Sequence, residues 1–276
     1  VSSIDEMLAD SALPLTEART LLGHALRVER SWLLTHGRDP VPDDQAHAVQ
    51  VLFAMRRSGE PIAYLTGGRE FCSLSLNVNP SVLIPRPETE LVVEQVLTLI
   101  ASRRTPKVLD LGTGSGAIAV AIAHARPDAR VCASDASAEA LAVASRNASR
   151  HAVAVRFVQG DWFMAFAEER FDVIASNPPY VADADPHLSQ GDLRFEPQAA
   201  LRGGPDGMDC IRRIAAGARM HLAPGGWLVF EHGYDQGPAC VRLLVGLGYT
   251  NVADTQDLSG LPRVCKGQFD ALRRQG

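Results

Sequence analysis

The sequence predicts an α/β protein, with a mainly parallel sheet covered by helices on both faces and a small helical region before it. Three observations support this prediction. From about residue 105 onwards, short apolar stretches of strand length alternate with stretches of helix length, which is typical of parallel sheets. The first of these strands runs into a glycine-rich segment. Residues 1–60, in contrast, lack the period-two alternation that marks half-buried strands.

The first 60 residues are predicted to form short helices. Thr16 precedes one apolar helical face and Asp43 precedes another, so each side chain is expected to cap a helix. Gly59 suits the position just past the end of the second helix. No catalytic cluster lies in this region. It therefore serves either as a packing module or as a domain that recognises a partner.

A hairpin is predicted to link this region to the rest of the chain. Residues 69–79 alternate like strands, and we place the linker at about 69–82. This assignment divides the chain into a helical domain over 1–75 and a larger α/β domain over 76–276.

The elements of the larger domain follow in order. Pro87 and the acidic residues beside it suit the first turn of a helix. Ser137 is expected to cap another helix. Strands are predicted near residues 107–111, 130–134, 153–158, 171–176, 227–231, 249–254 and 263–269, and later helices near 137–149, 207–222 and 236–247.

Composition excludes several classes of protein. The chain has 276 residues, of which 46% are hydrophobic and 21% charged, so global disorder is not expected. A formal net charge of -5 argues against a protein that coats nucleic acid nonspecifically. The five cysteines form no C-x-x-C pair, which favours free thiols over a disulfide framework or a zinc site. No signal peptide or membrane-spanning stretch is recognisable, so we expect a cytoplasmic protein with no membrane partner.

The glycine-rich segment after the first strand predicts a cofactor site. Its G-x-G-x-G spacing does not match the strict dinucleotide pattern, because position 117 is Ala. Taken alone, the loop fits NAD, FAD or S-adenosylmethionine. Asp135 ends the next strand and can accept hydrogen bonds from a ribose, and Asp161 and Trp162 follow the third strand, where they could hold and stack on an adenine. The predicted cofactor-binding residues are Gly112, Thr113, Gly114, Ser115, Gly116, Asp135, Asp161, Trp162 and Asn177.

The tetrad Asn177-Pro178-Pro179-Tyr180 after the fourth strand is the most specific motif. Two prolines fix the backbone and remove two N–H donors. The Asn177 side-chain oxygen and the Pro178 carbonyl oxygen can then accept both hydrogens of a planar NH2 group, and Tyr180 can cover its flat face. We therefore predict catalytic roles for Asn177, Pro178 and Tyr180, and substrate binding by all four residues. Rigid positioning at attack distance suffices for methyl transfer from a sulfonium, so no metal is expected.

The motifs together resemble the release-factor glutamine N5-methyltransferases, the HemK/PrmC family. The resemblance spans most of residues 61–270 and rests on segments 61–67, 83–90, 110–117, 177–180, 194–197 and 231–233. It implies a seven-stranded Rossmann-like class I methyltransferase domain, S-adenosyl-L-methionine as methyl donor, and S-adenosyl-L-homocysteine as product. It also implies that the substrate is the glutamine of a Gly-Gly-Gln loop in peptide chain release factors, which the helical domain would recognise.

Three alternatives stay open at this point. A nucleic-acid amino-methyltransferase would share the loop and the tetrad, but a flipped base normally calls for a basic groove. Residues 1–70 carry seven Arg, no Lys and ten acidic residues, which favours a protein substrate over direct nucleic-acid binding. A glutamine methyltransferase for a ribosomal protein would use the same chemistry. A non-enzymatic assembly factor would leave the intact tetrad unexplained. Arg86, Glu88 and Glu196 have no assigned role, and His187, His221 and His232 are expected to be structural.

Overall fold

The computed structural model describes residues 2–269, and the chain divides into two compact units. The first unit contains the residues up to Gly68 together with the segment Gln190–Phe195. The second contains Arg69–Ser189 and the chain from Glu196 onwards. Within the described residues, no helix is both long and apolar enough to cross a membrane.

The first unit is helical, as predicted. Its core is built around fully buried side chains such as Leu21, Leu22 and Phe53. The short segment Gly191–Phe195 joins this unit, since Asp192 pairs with Arg56 at 3.2 Å. The helices are α1 (Ile4–Ala9), α2 (Leu15–Leu26), α3 (Arg30–Thr35), α4 (Asp43–Arg57) and α5 (Ile62–Thr66).

The predicted helix caps at Thr16 and Asp43 are wrong. Helix α2 follows Pro14 and α4 follows Pro42, and neither start has a side-chain cap. Proline fixes the φ angle at each helix entry, so the helices begin one or two residues earlier than a polar cap would have set them. Gly59 does lie past the end of α4, with a φ of +98° that favours glycine.

The predicted hairpin is confirmed. Strand β1 (Gly68–Phe71) pairs with β2 (Leu74–Asn77) in a sheet of their own. Cys72 and Ser73 form the turn, and both have positive φ angles, as in the type I′ turns common in two-residue hairpins.

The second unit is built on a seven-stranded sheet, which confirms the predicted fold class. Its order is β5-β4-β3-β6-β7-β9-β8, with β3 to β7 parallel and β9 antiparallel to both of its neighbours. The strands are β3 (Lys107–Leu111), β4 (Arg130–Asp135), β5 (Val155–Gln159), β6 (Phe171–Ser176), β7 (Leu222–Glu231), β8 (Thr250–Gln256) and β9 (Pro262–Phe269).

Helices cover both faces of this sheet. Successive residues of a strand point to opposite faces, so Val108 belongs to one apolar core and Leu109 to the other. Ser137 caps α8 by accepting a hydrogen bond from the Ala140 N–H, as predicted. The helices are α6 (Glu90–Ile100, after a 3-10 turn at Pro87–Thr89), α7 (Ala117–Ala125), α8 (Ala138–Arg150), α9 (Asp209–His221) and α10 (Gly237–Gly246).

The parallel strands bring the predicted site residues to one edge of the sheet. Strands β3, β4 and β6 are neighbours and end at Leu111, Asp135 and Ser176. Ligands of open α/β sheets bind where such carboxyl ends meet. The glycine-rich loop, the Asp135 carboxylate and the tetrad therefore face a common space.

Candidate active site

A cavity of about 240 Å³ lies at this edge of the sheet. Its apolar wall includes Val82, Leu83, Ile118 and Ala140. Of the predicted cofactor residues, all but Gly116 line it: Gly112, Thr113, Gly114, Ser115, Asp135, Asp161, Trp162 and Asn177. Pro179 also lines the cavity, whereas Pro178, which is buried, and Tyr180, which is half-buried, are not among its lining residues.

The glycine-rich loop turns through three left-handed glycines. Gly112, Gly114 and Gly116 have φ angles of +67°, +55° and +82°, which disfavour residues with a Cβ atom. The Thr113 hydroxyl donates to the buried Asp110 carboxylate at 2.5 Å and fixes the base of the loop. Burial raises the pKa of Asp110 to about 7.

Asp135 organises the same loop from the neighbouring strand. One carboxylate oxygen accepts the Gly114 N–H at 2.9 Å, and the other accepts the Ser137 N–H at 2.9 Å. Because an ionised carboxylate has about four acceptor sites, both oxygens retain capacity for further donors in the cavity. The side chain is thus held in a fixed orientation with acceptor capacity to spare.

The two residues predicted to lie near an adenine, Asp161 and Trp162, differ in their exposure and in their contacts. Asp161 lines the cavity, but it is about half-exposed and one of its oxygens is paired with Arg213 at 2.6 Å. Trp162 has a φ of +50°, which is uncommon for a residue with a large side chain. Its ring lies close to Gly112, where an added Cβ atom would be 3.6 Å from the ring.

The backbone of the tetrad is packed against a glycine-rich segment that follows it. A Cβ atom on Gly203 would lie 2.7 Å from the Pro179 oxygen, and one on Gly207 would lie against the Tyr180 oxygen. Gln236 at the start of α10 donates to the Tyr180 carbonyl oxygen at 3.0 Å. These close contacts hold the turn rigidly at the end of β6.

A buried polar network supports the side chains of the tetrad. Asn177 Nδ2 donates to Thr89 Oγ1 at 3.0 Å, and Thr89 Oγ1 donates to Glu231 Oε2 at 2.6 Å. The Tyr180 hydroxyl donates to Glu231 Oε1 at 2.8 Å. Burial raises the pKa of Glu231, and burial together with the Glu231 charge raises the pKa of Tyr180.

Thr89, Glu231 and Asn147 were not predicted to take part in the site. The first two lie in segments that carry the family resemblance, but no local pattern links residues 142 positions apart. Asn147 lies within α8 and is completely buried. Its amide donates to the Ser115 and Asn77 carbonyl oxygens at 2.8 and 3.0 Å, and its oxygen accepts the Asn77 N–H at 2.7 Å.

Other polar residues noted in the sequence have structural partners. Arg86 pairs with the buried Glu196 at 2.6 Å. His232 is buried, with Nε2 3.0 Å from Asp254, and His221 stacks on Phe163 at 4.7 Å. Among residues 2–269, no three His, Cys, Asp or Glu side chains are grouped as metal ligands.

The geometry combines two functions in one cavity. The glycine loop and Asp135 offer close backbone approach and a fixed acceptor to an elongated polar ligand. Within residues 2–269, the Asn177 side-chain oxygen accepts no hydrogen bond, although its amide nitrogen is engaged. The cavity therefore has an acceptor held by a hydrogen bond beside a glycine-rich loop, an arrangement that suits a ligand with N–H donors.

Two known protein families match different parts of the chain. The family described as the methyltransferase small domain matches residues 88–194, and that described as the PrmC N-terminal domain matches residues 2–67. The solved Thermus thermophilus 16S rRNA N2 G1207 methyltransferase, in complex with AdoMet and guanosine, is 19% identical with a TM-score of 0.54. The alignment covers 73% of this chain and 49% of that one, and it supports the fold alone.

Two curated relatives are similar over nearly their whole length. The release factor glutamine methyltransferase of Xylella fastidiosa strain Temecula1 is 51% identical, over 94% of this chain and 95% of the relative. The protein of the same name from Bordetella pertussis is 50% identical, over 96% and 98%. These similarities confirm the resemblance predicted from the motifs, and the chain belongs to the family of release factor glutamine methyltransferases.

Proposed function

We propose that this protein transfers a methyl group from S-adenosyl-L-methionine to the side-chain amide nitrogen of a glutamine. The target is the glutamine of the Gly-Gly-Gln motif in peptide chain release factors, and S-adenosyl-L-homocysteine is the second product. The observation that carries the proposal is the Asn177 side-chain oxygen. Asn177 lines a cavity shared with the glycine loop and Asp135, and its amide nitrogen is already engaged, which leaves the side-chain oxygen to accept from a substrate.

The residues present fit this cofactor. The left-handed glycines allow close approach of a ligand to the loop backbone, and Asp135 offers fixed acceptors to the two ribose hydroxyls. The Trp162 ring and the apolar wall suit an adenine ring, and Asp161 lies beside them. When bound, S-adenosyl-L-methionine supplies an electrophilic methyl group on its sulfonium.

The tetrad supplies what an amide substrate needs. An amide nitrogen is a weak nucleophile because its lone pair is delocalised into the carbonyl group. Asn177 and the Pro178 carbonyl can accept its two hydrogens and orient the nitrogen for in-line attack. Those hydrogens become more acidic as the nitrogen becomes tetrahedral, so the same acceptors bind the transition state more tightly than the ground state. Tyr180 covers the planar group.

The helical region supports a protein substrate. Residues 2–67 match a family named for the N-terminal domain of these enzymes, and this region contains none of the residues that line the cavity. We assign residues 1–75 to recognition of the release factor and 76–276 to catalysis. Two linked contacts raise the effective concentration of the glutamine at the active site.

Methylation of a purified release factor tests the proposal directly. The full-length protein and S-adenosyl-L-methionine are incubated with a release factor, and peptides are analysed by mass spectrometry. A single added methyl group on the Gly-Gly-Gln glutamine is expected. Methylation of a ribosomal protein or of nucleic acid, with none on the release factor, would contradict the substrate assignment and retain the methyl-transfer chemistry.

A second measurement tests recognition outside the cavity. A short Gly-Gly-Gln peptide must be ordered on binding, at about 1–2 kcal/mol per residue, and it lacks contacts with other domains. We expect kcat/KM on the whole release factor to exceed that on the peptide by at least tenfold. Equal values on the two substrates would remove the recognition role of the helical region.

A further inference from the structure

Glu231 connects both ends of the tetrad, although it belongs to neither the glycine loop nor the tetrad. It is the last residue of β7 and its side chain is completely buried. One carboxylate oxygen accepts the Thr89 hydroxyl at 2.6 Å, and the other accepts the Tyr180 hydroxyl at 2.8 Å. Thr89 in turn contacts the Asn177 amide nitrogen at 3.0 Å.

Proton counting determines the direction of each hydrogen bond in this chain. Both carboxylate oxygens of Glu231 accept from hydroxyl groups, those of Thr89 and Tyr180, so the single hydroxyl proton of Thr89 points to Glu231. Thr89 Oγ1 then presents lone pairs to Asn177, and Asn177 must offer an N–H group to it. Consequently the Asn177 oxygen, rather than its NH2 group, is directed away from Thr89 and is available to a ligand.

This orientation matters because the two ends of an Asn side chain have nearly the same shape. Rotation by 180° about the last side-chain bond exchanges the oxygen and the NH2 group with little change in packing. In the rotated state, an NH2 group of Asn177 would face the NH2 group of a glutamine, donor against donor.

We propose that Thr89 and Glu231 are positioning residues that fix the orientation of the Asn177 side chain, so that its oxygen faces the nitrogen to be methylated. This inference rests on the proposed function, in which Asn177 accepts a hydrogen bond from the glutamine amide. Neither residue forms or breaks a bond. The pair instead determines which substrate group the site accepts, an amide with hydrogens to donate rather than a carboxylate.

A pair of substitutions at Thr89 separates orientation from packing. Thr89→Val keeps the shape of the side chain but removes its hydroxyl group, whereas Thr89→Ser keeps the hydroxyl group and removes a methyl group. We expect kcat to fall by about 10- to 100-fold in the Val variant. This is less than the about 100- to 1000-fold typical of removing a preorganised polar group at the reacting centre, because Asn177 itself is retained. The Ser variant is expected to restore kcat to within about threefold of the wild type, and KM is expected to change less than kcat.

Discrimination between two release factors gives a readout that a purely structural role would not change. Binding to the enzyme is measured for two unmethylated release factors. One has the Gly-Gly-Gln motif, and in the other this glutamine is replaced by glutamate. The fixed Asn177 oxygen repels a carboxylate, so the wild type should strongly prefer glutamine. In the Thr89→Val variant the Asn177 side chain can rotate and offer its NH2 group, so the preference for glutamine over glutamate should fall about tenfold. Loss of packing would weaken binding of both proteins equally.

Glu231→Gln provides a second variant in case Thr89→Val does not fold, as judged by thermal unfolding. A Gln side chain can either donate to Thr89 or accept from it, so the orientation of Asn177 is no longer dictated. We expect reduced preference for glutamine over glutamate here as well. Unchanged kcat and unchanged preference in the folded variants would overturn the inference. A wild-type protein that fails to methylate the release factor would instead overturn the proposed function.

Discussion

The glycine loop and the Asn-Pro-Pro-Tyr turn line the same cavity, but they are held in different ways. The loop is fixed largely by its own backbone and by groups on the same strand or the next one. Thr113 bonds to Asp110 three residues away, and Gly114 bonds to Asp135 on the adjacent strand. The tetrad side chains are fixed from a distance, by Thr89 at the entry to α6 and by Glu231 at the end of β7.

The loop and the tetrad are held differently because they need different kinds of support. Under the proposed function, the loop offers backbone groups to a ligand, and a strand followed by a glycine turn achieves this locally. The tetrad would then have to present an acceptor in one of two nearly equal orientations, and only a directional hydrogen-bond partner can select between them. We therefore expect substitutions in the loop to alter cofactor affinity or stability, and substitutions around the tetrad to alter turnover.

Asn177→Ala is expected to have the largest effect. Removing a preorganised polar group at a reacting centre typically lowers turnover by about 100- to 1000-fold. Cofactor affinity should change by a smaller factor, because the loop and Asp135 do not depend on Asn177. Single-turnover methyl transfer and calorimetric titration of the same preparation provide both values. Turnover close to the wild type would exclude Asn177 from the role proposed for it.

Asp135→Ala is expected to weaken cofactor binding, which is the property that depends on the glycine loop. Loss of two hydrogen bonds to a charged acceptor costs about 2–4 kcal/mol, which should appear as weaker S-adenosyl-L-methionine binding. Asp161→Ala is the matched control, because Asp161 is half-exposed and already pairs with Arg213. Its effect should stay below about tenfold in dissociation constant. If Asp161→Ala weakened binding as much as Asp135→Ala, the ribose contact would have to be reassigned.

The sequence predicted those parts of the site that depend on local pattern. A strand followed by glycines, an acid at the end of the next strand, and a proline-fixed tetrad can each be recognised within a few residues. The parallel strand order then brings them to one edge of the sheet. The cofactor and substrate contacts of these residues stay predictions, as does a cytoplasmic location.

The supporting residues could not be predicted because they are ordinary in their local context. Glu231 ends a strand and Thr89 begins a helix, positions where such residues are common. Only the folded chain places Thr89 within hydrogen-bonding distance of residues 88 and 142 positions away. The first residues of α2 and α4, which follow Pro14 and Pro42, were predicted wrongly for a related reason. The restricted φ angle of proline takes the place of the expected side-chain cap there.

Asn147→Leu tests the support that the glycine loop receives from helix α8. Asn147 gives hydrogen bonds to two backbone carbonyl groups, one of them that of Ser115, 32 residues away. A buried backbone group left without a partner costs about 1–3 kcal/mol. We expect a clear fall in the thermal unfolding midpoint and some loss of cofactor affinity. An unchanged affinity in a destabilised protein would mean that the loop is held by its local contacts alone.

The smallest expected difference lies within the glycine loop itself, between Gly114→Ala and Gly116→Ala. Both glycines have positive φ angles, so each substitution carries a backbone cost of about 1–2 kcal/mol. A Cβ atom on Gly116 would also lie 3.0 Å from the Ala144 Cβ atom, whereas one on Gly114 would meet nothing within 4 Å. Gly116→Ala should therefore lower the unfolding midpoint further. Gly114 lines the cavity and Gly116 does not, so Gly114→Ala should cause the greater loss of cofactor affinity. Thermal unfolding with and without S-adenosyl-L-methionine measures both effects. The reverse ranking in affinity would mean that the ligand approaches the loop at the helix start rather than at Gly114.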